Sequence, residues 1–260
     1  LSHFEEPEYF DISEQYSVVY HRFLQMDFSD RHAIRGQLEG PVSFGFNVLD
    51  QDDRPILFDD TVRPFMLEFM ARRVNVQLAR LKKLHPNAFM FVDEPGMQFI
   101  FSGMSGYNNV LARQDLENFF SIVERPRGIH LCGNPDWDFL LGLDLDVLSL
   151  DMYTNGEIFV SYAASIRRFL DRGGVLIWGI TPTNFQFFEK EAVDSLEKRV
   201  VGLWEELDRR GIDRDYLLSR SMLSPATCCL VNPDGTATVE KAFQLTRALS
   251  QRLRDRFALE

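Results

Sequence analysis

The sequence predicts an α/β protein of the TIM (β/α)8-barrel type. Three observations point there. Apolar runs of strand length alternate with amphipathic stretches of helix length, the pattern of parallel strands joined by crossover helices. Polar residues of chemical interest follow the strands, and the carboxyl ends of strands are where barrel enzymes build their sites. At 260 residues with 45% hydrophobic content, the chain can bury one substantial core, so residues 1–260 read as a single barrel domain. Six strands are countable, near Arg35, Phe91, Ile129, Leu148, Leu176 and Met222. A full barrel needs eight, so the N-terminal strands are expected to be missing from this chain or displaced. The opening Leu1-Ser2-His3, without an initiator Met, fits a fragment of a longer product.

Taken in order, apolar residues from Phe10 to Leu24 recur at roughly helical spacing and predict a helix over about Ser13 to Met26. Ala33 to Pro41 reads as a short strand stopped by Gly40-Pro41, with Val42 to Phe46 as its loop. Asp59-Asp60 can cap a helix from about Thr61 to Leu84, with Phe65, Phe69, Val76, Leu78 and Leu81 on its buried side. Phe89 to Val92 is a continuous apolar run, as in a strand buried on both faces, and it exits into Asp93-Glu94-Pro95-Gly96. A Gly/Ser/Asn loop over 97–110 and a helix over 113–124 lead to a strand at Gly128-Ile129-His130-Leu131-Cys132, broken by Gly133-Asn134-Pro135. Next come a helix over Trp137 to Leu143, a strand over Asp146 to Asp151 and an amphipathic helix over 161–172 closed by Gly173-Gly174. Val175 to Ile180 is a strand with Thr181-Pro182-Thr183 as its loop. A long helix from Lys190 to Arg210, a last strand within Leu217 to Ser224 and a closing helix from Val239 to Phe257 complete the chain.

Composition narrows the functional classes. A net charge of −11 with no Lys/Arg cluster argues against nucleic acid, and no apolar run reaches membrane-span length. Three cysteines, two of them adjacent, do not form a disulfide framework. A reducing, cytoplasmic setting with metal or thiol chemistry is the expectation.

The candidate chemistry gathers at strand exits: Asp93 and Glu94, then His130 and Cys132, then Asp151, then Cys228 and Cys229. Alternate strand residues share a face, so His130 and Cys132 are expected to present an imidazole and a thiol together. With a carboxylate and a second thiol they would make a tetrahedral zinc site. Simpler readings stand beside this one. Cys132 is also what a small core residue looks like, Asp151 can cap the next segment, Cys228-Cys229 can be an inert pair, and Glu94 can be a rim salt-bridge partner. Asn134, Asp136, Tyr153 and Trp178 are candidate pocket walls.

These motifs resemble a known family. His130-Leu131-Cys132-Gly133 is similar to the His-x-Cys-Gly motif of zinc-dependent corrinoid methyltransferases, in the superfamily of uroporphyrinogen decarboxylase and cobalamin-independent methionine synthase. Gly40-Pro41-Val42-Ser43, Val92-Asp93-Glu94-Pro95-Gly96, Asp146 to Asp151 and Ser224-Pro225-Ala226-Thr227-Cys228 resemble, in order, four stretches of the methionine synthase catalytic barrel. Trp178-Gly179-Ile180-Thr181-Pro182-Thr183 resembles a loop of short methionine-synthase-like proteins. The resemblance implies that His130, Cys132 and one of Cys228 and Cys229 bind Zn2+, that Asp93 holds the amino group of a thiol such as homocysteine, and that Asp151 stands where the family has a zinc-binding Glu. It implies methyl transfer to that thiol, with a methylcorrinoid or corrinoid protein a more natural donor than methyl-folate because no folate-binding barrel is evident. The alternatives are a metal-free decarboxylase-like enzyme using Asp93 or Asp151, and a non-catalytic, zinc-stabilised barrel that binds a corrinoid protein.

Overall fold

The computed structural model describes residues 6–100, 107–227 and 232–259. Its elements alternate strand and helix: α1 (Val18–Phe23), β1 (Ile34–Glu39), α2 (Pro41–Asn47), α3 (Val62–Leu84), β2 (Ala88–Asp93), α4 (Met97–Ile100), α5 (Asn109–Ile122), β3 (Arg127–Leu131), α6 (Trp137–Leu141), β4 (Val147–Asp151), α7 (Met152–Phe159), α8 (Ala163–Asp171), β5 (Val175–Thr181), α9 (Phe185–Phe188), α10 (Val193–Arg209), α11 (Arg214–Leu218), β6 (Ser221–Pro225) and α12 (Ala237–Phe257). The α/β class follows from this alternation and from strand pairing that is parallel within both units of the chain.

The chain divides into two units. One holds the residues up to His130 together with Leu143–Asp146, and the other holds Leu131–Gly142 and the residues from Val147 onward. In the first, β2 pairs with β1 on one side and β3 on the other. β2 is buried from Ala88 to Val92, as its unbroken apolar run requires. α3 turns Met66, Leu67, Met70, Ala71, Val74, Leu78 and Leu81 inward at helical spacing. In the second, β5 lies between β4 and β6. Its aromatic core is a chain of rings, Trp137 to Phe159 at 5.4 Å, Phe159 to Trp178 at 6.2 Å and Trp178 to Trp204 at 6.0 Å, each edge to face.

Several sequence-based boundaries need correcting. The helix expected over Ser13 to Met26 is only α1, preceded by single 3-10 turns at Pro7–Phe10 and Glu14–Tyr16. Phe65, expected to be buried, is 51% exposed, because the inward face of α3 runs through Met66 and Met70. The segment after Gly40-Pro41 is α2 rather than a loop. Pro41 occupies the first helical turn, where its missing N–H has no intrahelical partner to lose. Within 97–110, Met97–Ile100 is helical and α5 begins at Asn109, because Asn108 caps it by accepting from the Val110 and Leu111 N–H groups. α7 and α9 fall where the sequence suggests no element, and α11 ends at Leu218, so the last strand expected within Leu217 to Ser224 begins at Ser221. Among the described residues no helix is long and apolar enough to cross a membrane.

Candidate functional site

In the first unit, β1, β2 and β3 end level with one another. Glu39 pairs with Asp93, and Asp93 pairs with His130. Paired residues on neighbouring parallel strands put their side chains on one face of the sheet. Gly36 fixes which face: a Cβ there would run into Met90 Sδ and Leu81 of α3, so that side of β1 meets the helix. Alternation then turns Arg35, Gln37 and Glu39 to the opposite face, with Phe89, Phe91 and Asp93 of β2 and His130 of β3.

That face is polar along β1 and aromatic along β2. Arg35 Nη1 donates to Gln37 Oε1, and Gln37 Nε2 donates to Asp93 Oδ2. The Arg35 guanidinium lies 5.2 Å over the Phe91 ring. Asn47, at the end of α2, donates from Nδ2 to Glu39 Oε1 at 2.8 Å. His130 is buried, with its ring 6.2 Å from that of Phe91. Arg35, Gln37 and Glu39 were not singled out as site residues from the sequence. Their signal was the period-2 repeat Arg35-x-Gln37-x-Glu39 on a strand, which marks one polar face.

Glu94 has a different place from the one expected. It is neither a rim residue nor open to a ligand, because its side chain is fully buried. Its Oε1 accepts from the Val42 N–H at 2.9 Å, and its Oε2 accepts from the Ser43 N–H at 2.9 Å and the Ser43 hydroxyl at 2.7 Å. The Ser43 hydroxyl oxygen in turn accepts from the Gly96 N–H at 2.9 Å. Gly40 must be glycine here, since a Cβ would overlap the Glu94 carboxyl group. The Glu94 N–H reaches back to the His130 carbonyl at 3.1 Å. Burial pushes the Glu94 carboxyl up to about 7, against hydrogen bonds from Ser43 and Val42 that favour the charged form, and with a smaller upward push from Glu39.

In the second unit, Cys132 is half-buried just past the end of β3. The strand stops at Leu131, so strand alternation does not fix the direction of the thiol. Asn134 Oδ1 accepts from Trp137 Nε1 at 2.9 Å, and Asp136 caps α6 by accepting from the Phe139 N–H at 3.1 Å. Asp151 is buried at the end of β4 and caps α7, with Oδ1 accepting from the Thr154 N–H at 3.0 Å. Trp178 belongs to the aromatic core of this unit. It is fully buried between Phe159 and Trp204, with Nε1 donating to Ser221 Oγ at 3.0 Å.

Tyr153 borders a cleft of about 600 Å³ between α7 and α10. Its hydroxyl donates to Glu191 Oε1 at 2.7 Å, and the Arg199 guanidinium sits 4.5 Å over its ring. Burial and the Glu191 carboxylate push the phenol up to about 12. A cleft of about 1130 Å³ in the first unit is lined by Phe10, Leu24, Arg72, Val76 and Arg80. Its α3 residues belong to the side of the helix turned away from the sheet, so it is separate from the polar strand face.

Cys228 and Cys229 lie outside the described residues. Among the described residues, no group of three or more His, Cys, Asp and Glu side chains is arranged to hold a metal ion. No family model and no curated protein matches the chain.

Proposed function

We propose that the chain is a zinc-dependent methyltransferase. It moves a methyl group from a methylcorrinoid or methyl-folate donor to a thiol such as homocysteine, on a TIM-type barrel like that of cobalamin-independent methionine synthase. One observation carries the reading. Asp93 and His130, to which the resemblance assigns ammonium recognition and metal binding, are paired residues at the ends of adjacent parallel strands.

The donor chemistry at the end of β3 suits zinc, since an imidazole and a thiol stand two positions apart at His130 and Cys132. These two residues, with one of Cys228 and Cys229, would hold the ion. Asp151 fits less well, because one of its carboxylate oxygens already accepts the Thr154 N–H. When bound, zinc supplies the Lewis acidity that keeps a substrate thiol deprotonated near neutral pH.

The chain's own residues supply position. Asp93 receives the ammonium group of an amino-acid thiol, while Gln37 fixes the carboxylate by donating to Oδ2. Glu39, held by Asn47, adds a second negative charge in the same row. Orientation of the sulfur toward the methyl carbon is what these contacts contribute to rate. The S–C bond forms as the bond from carbon to the donor breaks, and that electron pair stays on the donor.

The test is methionine formation from homocysteine and methylcobalamin by zinc-replete protein, compared with Asp93→Asn. Loss of one charge-assisted hydrogen bond costs on the order of 1.5–3 kcal/mol, so KM for homocysteine should rise about 10- to 100-fold with a smaller effect on kcat. Absence of methyl transfer to any amino-acid thiol from either donor would overturn the proposal.

A further inference from the structure

The carboxylate of Glu94 belongs to no proposed catalytic step, yet it is the meeting point of three strand exits. It grips the first turn of α2 through two backbone N–H groups and the Ser43 hydroxyl, all within 2.9 Å. Its own N–H holds the carbonyl of His130. Ser43 passes the connection on to Gly96, in the turn that follows β2. Gly40, which separates Glu39 from α2, lies against the carboxyl group with no space for a side chain.

The three exits tied together are those of β1, β2 and β3. Their last side chains on the polar face are Glu39, Asp93 and His130, neighbours by register. Asp93 and Glu94 are consecutive, yet their carboxylates have separate partners: Asp93 accepts from Gln37 on the polar face, and Glu94 accepts from Val42 and Ser43 of α2. A fully buried carboxyl group is costly unless hydrogen-bonded, and this one has a donor for each oxygen.

We infer that Glu94 is a positioning residue: through Ser43 and the start of α2 it sets the relative placement of Glu39, Asp93 and His130, and hence the metal and thiol sites of the proposed methyltransferase. The inference rests on that functional reading only for its metal readout. The arrangement of the row is measurable without it.

The experiment uses the full chain as wild type, Glu94→Gln, Ser43→Ala and the double variant. Two quantities are read for each: the zinc dissociation constant, by competition with a chromogenic chelator, and the His130 imidazole signals in a 1H–15N correlation spectrum, identified with His130→Gln. Thermal unfolding shows that each variant is folded. Ser43→Ala removes one hydroxyl and is the gentler probe should Glu94→Gln fail to fold. Residues that orient metal ligands without touching the metal typically alter affinity by about 10- to 100-fold, and that weakening is expected in Glu94→Gln, together with displaced His130 signals. The double variant should lose less than the product of the two single losses, because carboxylate and hydroxyl act as one unit. A folded Glu94→Gln or Ser43→Ala protein with wild-type zinc affinity and unmoved His130 signals would overturn the inference. Wild-type protein that binds no zinc, with His130 signals still displaced in the variants, would defeat the functional proposal and leave the positioning role standing.

Discussion

A carboxylate without access to water has to be held by donors, and the balance between the two effects is measurable at Glu94. Burial lifts its carboxyl from an ordinary 4.5 to about 7, with three hydrogen bonds pulling the other way. Between those two pH values the native chain keeps a proton that the unfolded chain has released. This group's contribution to stability is therefore fully present below about pH 4.5 and is lost as pH rises through about 7, a change on the order of 3 kcal/mol. Urea unfolding across that range should show the decline in wild type and a flatter profile in Glu94→Gln, which cannot titrate. Equal slopes would show that Glu94 does not sense the burial. From sequence, the pair Asp93-Glu94 reads only as two carboxylates after a strand. Their partners separate them, Gln37 for Asp93 and Ser43 for Glu94, and which of the two is buried depends on Gly40 and α2, forty residues and more away in the chain.

At the scale of elements, the strands were the most legible part. All six lie near the expected positions, most plainly β2, β4 and β5, whose apolar runs end at Asp or a polar loop. Helix starts were less so. Gly40-Pro41 stops a strand and also begins a helix, and the second meaning is visible only once the α2 N–H groups meet Glu94. The start of α5 was placed four residues late, although Asn108 is a good capping residue and bonds to both Val110 and Leu111. Replacing it by Ala should cost about 1 kcal/mol, read as a lower urea midpoint with unchanged slope. An unchanged midpoint would mean that packing of Ala112, Leu116 and Phe119 alone sets where the helix begins. Trp178 has a place that residue type alone does not reveal. An aromatic residue next to a polar loop suggests a pocket wall, but it lies one register step from Gly179 on the helix-facing side of β5, against Trp204.

For the whole molecule, the α/β class and parallel strand pairing were readable from period and punctuation alone. The division between residues up to His130 and the later unit was not, since no linker composition marks it. The polar strand face was half legible: Asp93 and His130 stood out by residue type, whereas Arg35, Gln37 and Glu39 became members only through register with β2. The central claim concerns a metal held at the end of β3, and elemental analysis of the purified protein tests it most directly, with Cys132→Ser, Cys228→Ser and Cys229→Ser alongside. The account predicts about one zinc per chain in wild type, lost in Cys132→Ser and in just one of the other two variants. Wild-type protein without metal after exposure to zinc, or Cys132→Ser retaining a full equivalent, would contradict it.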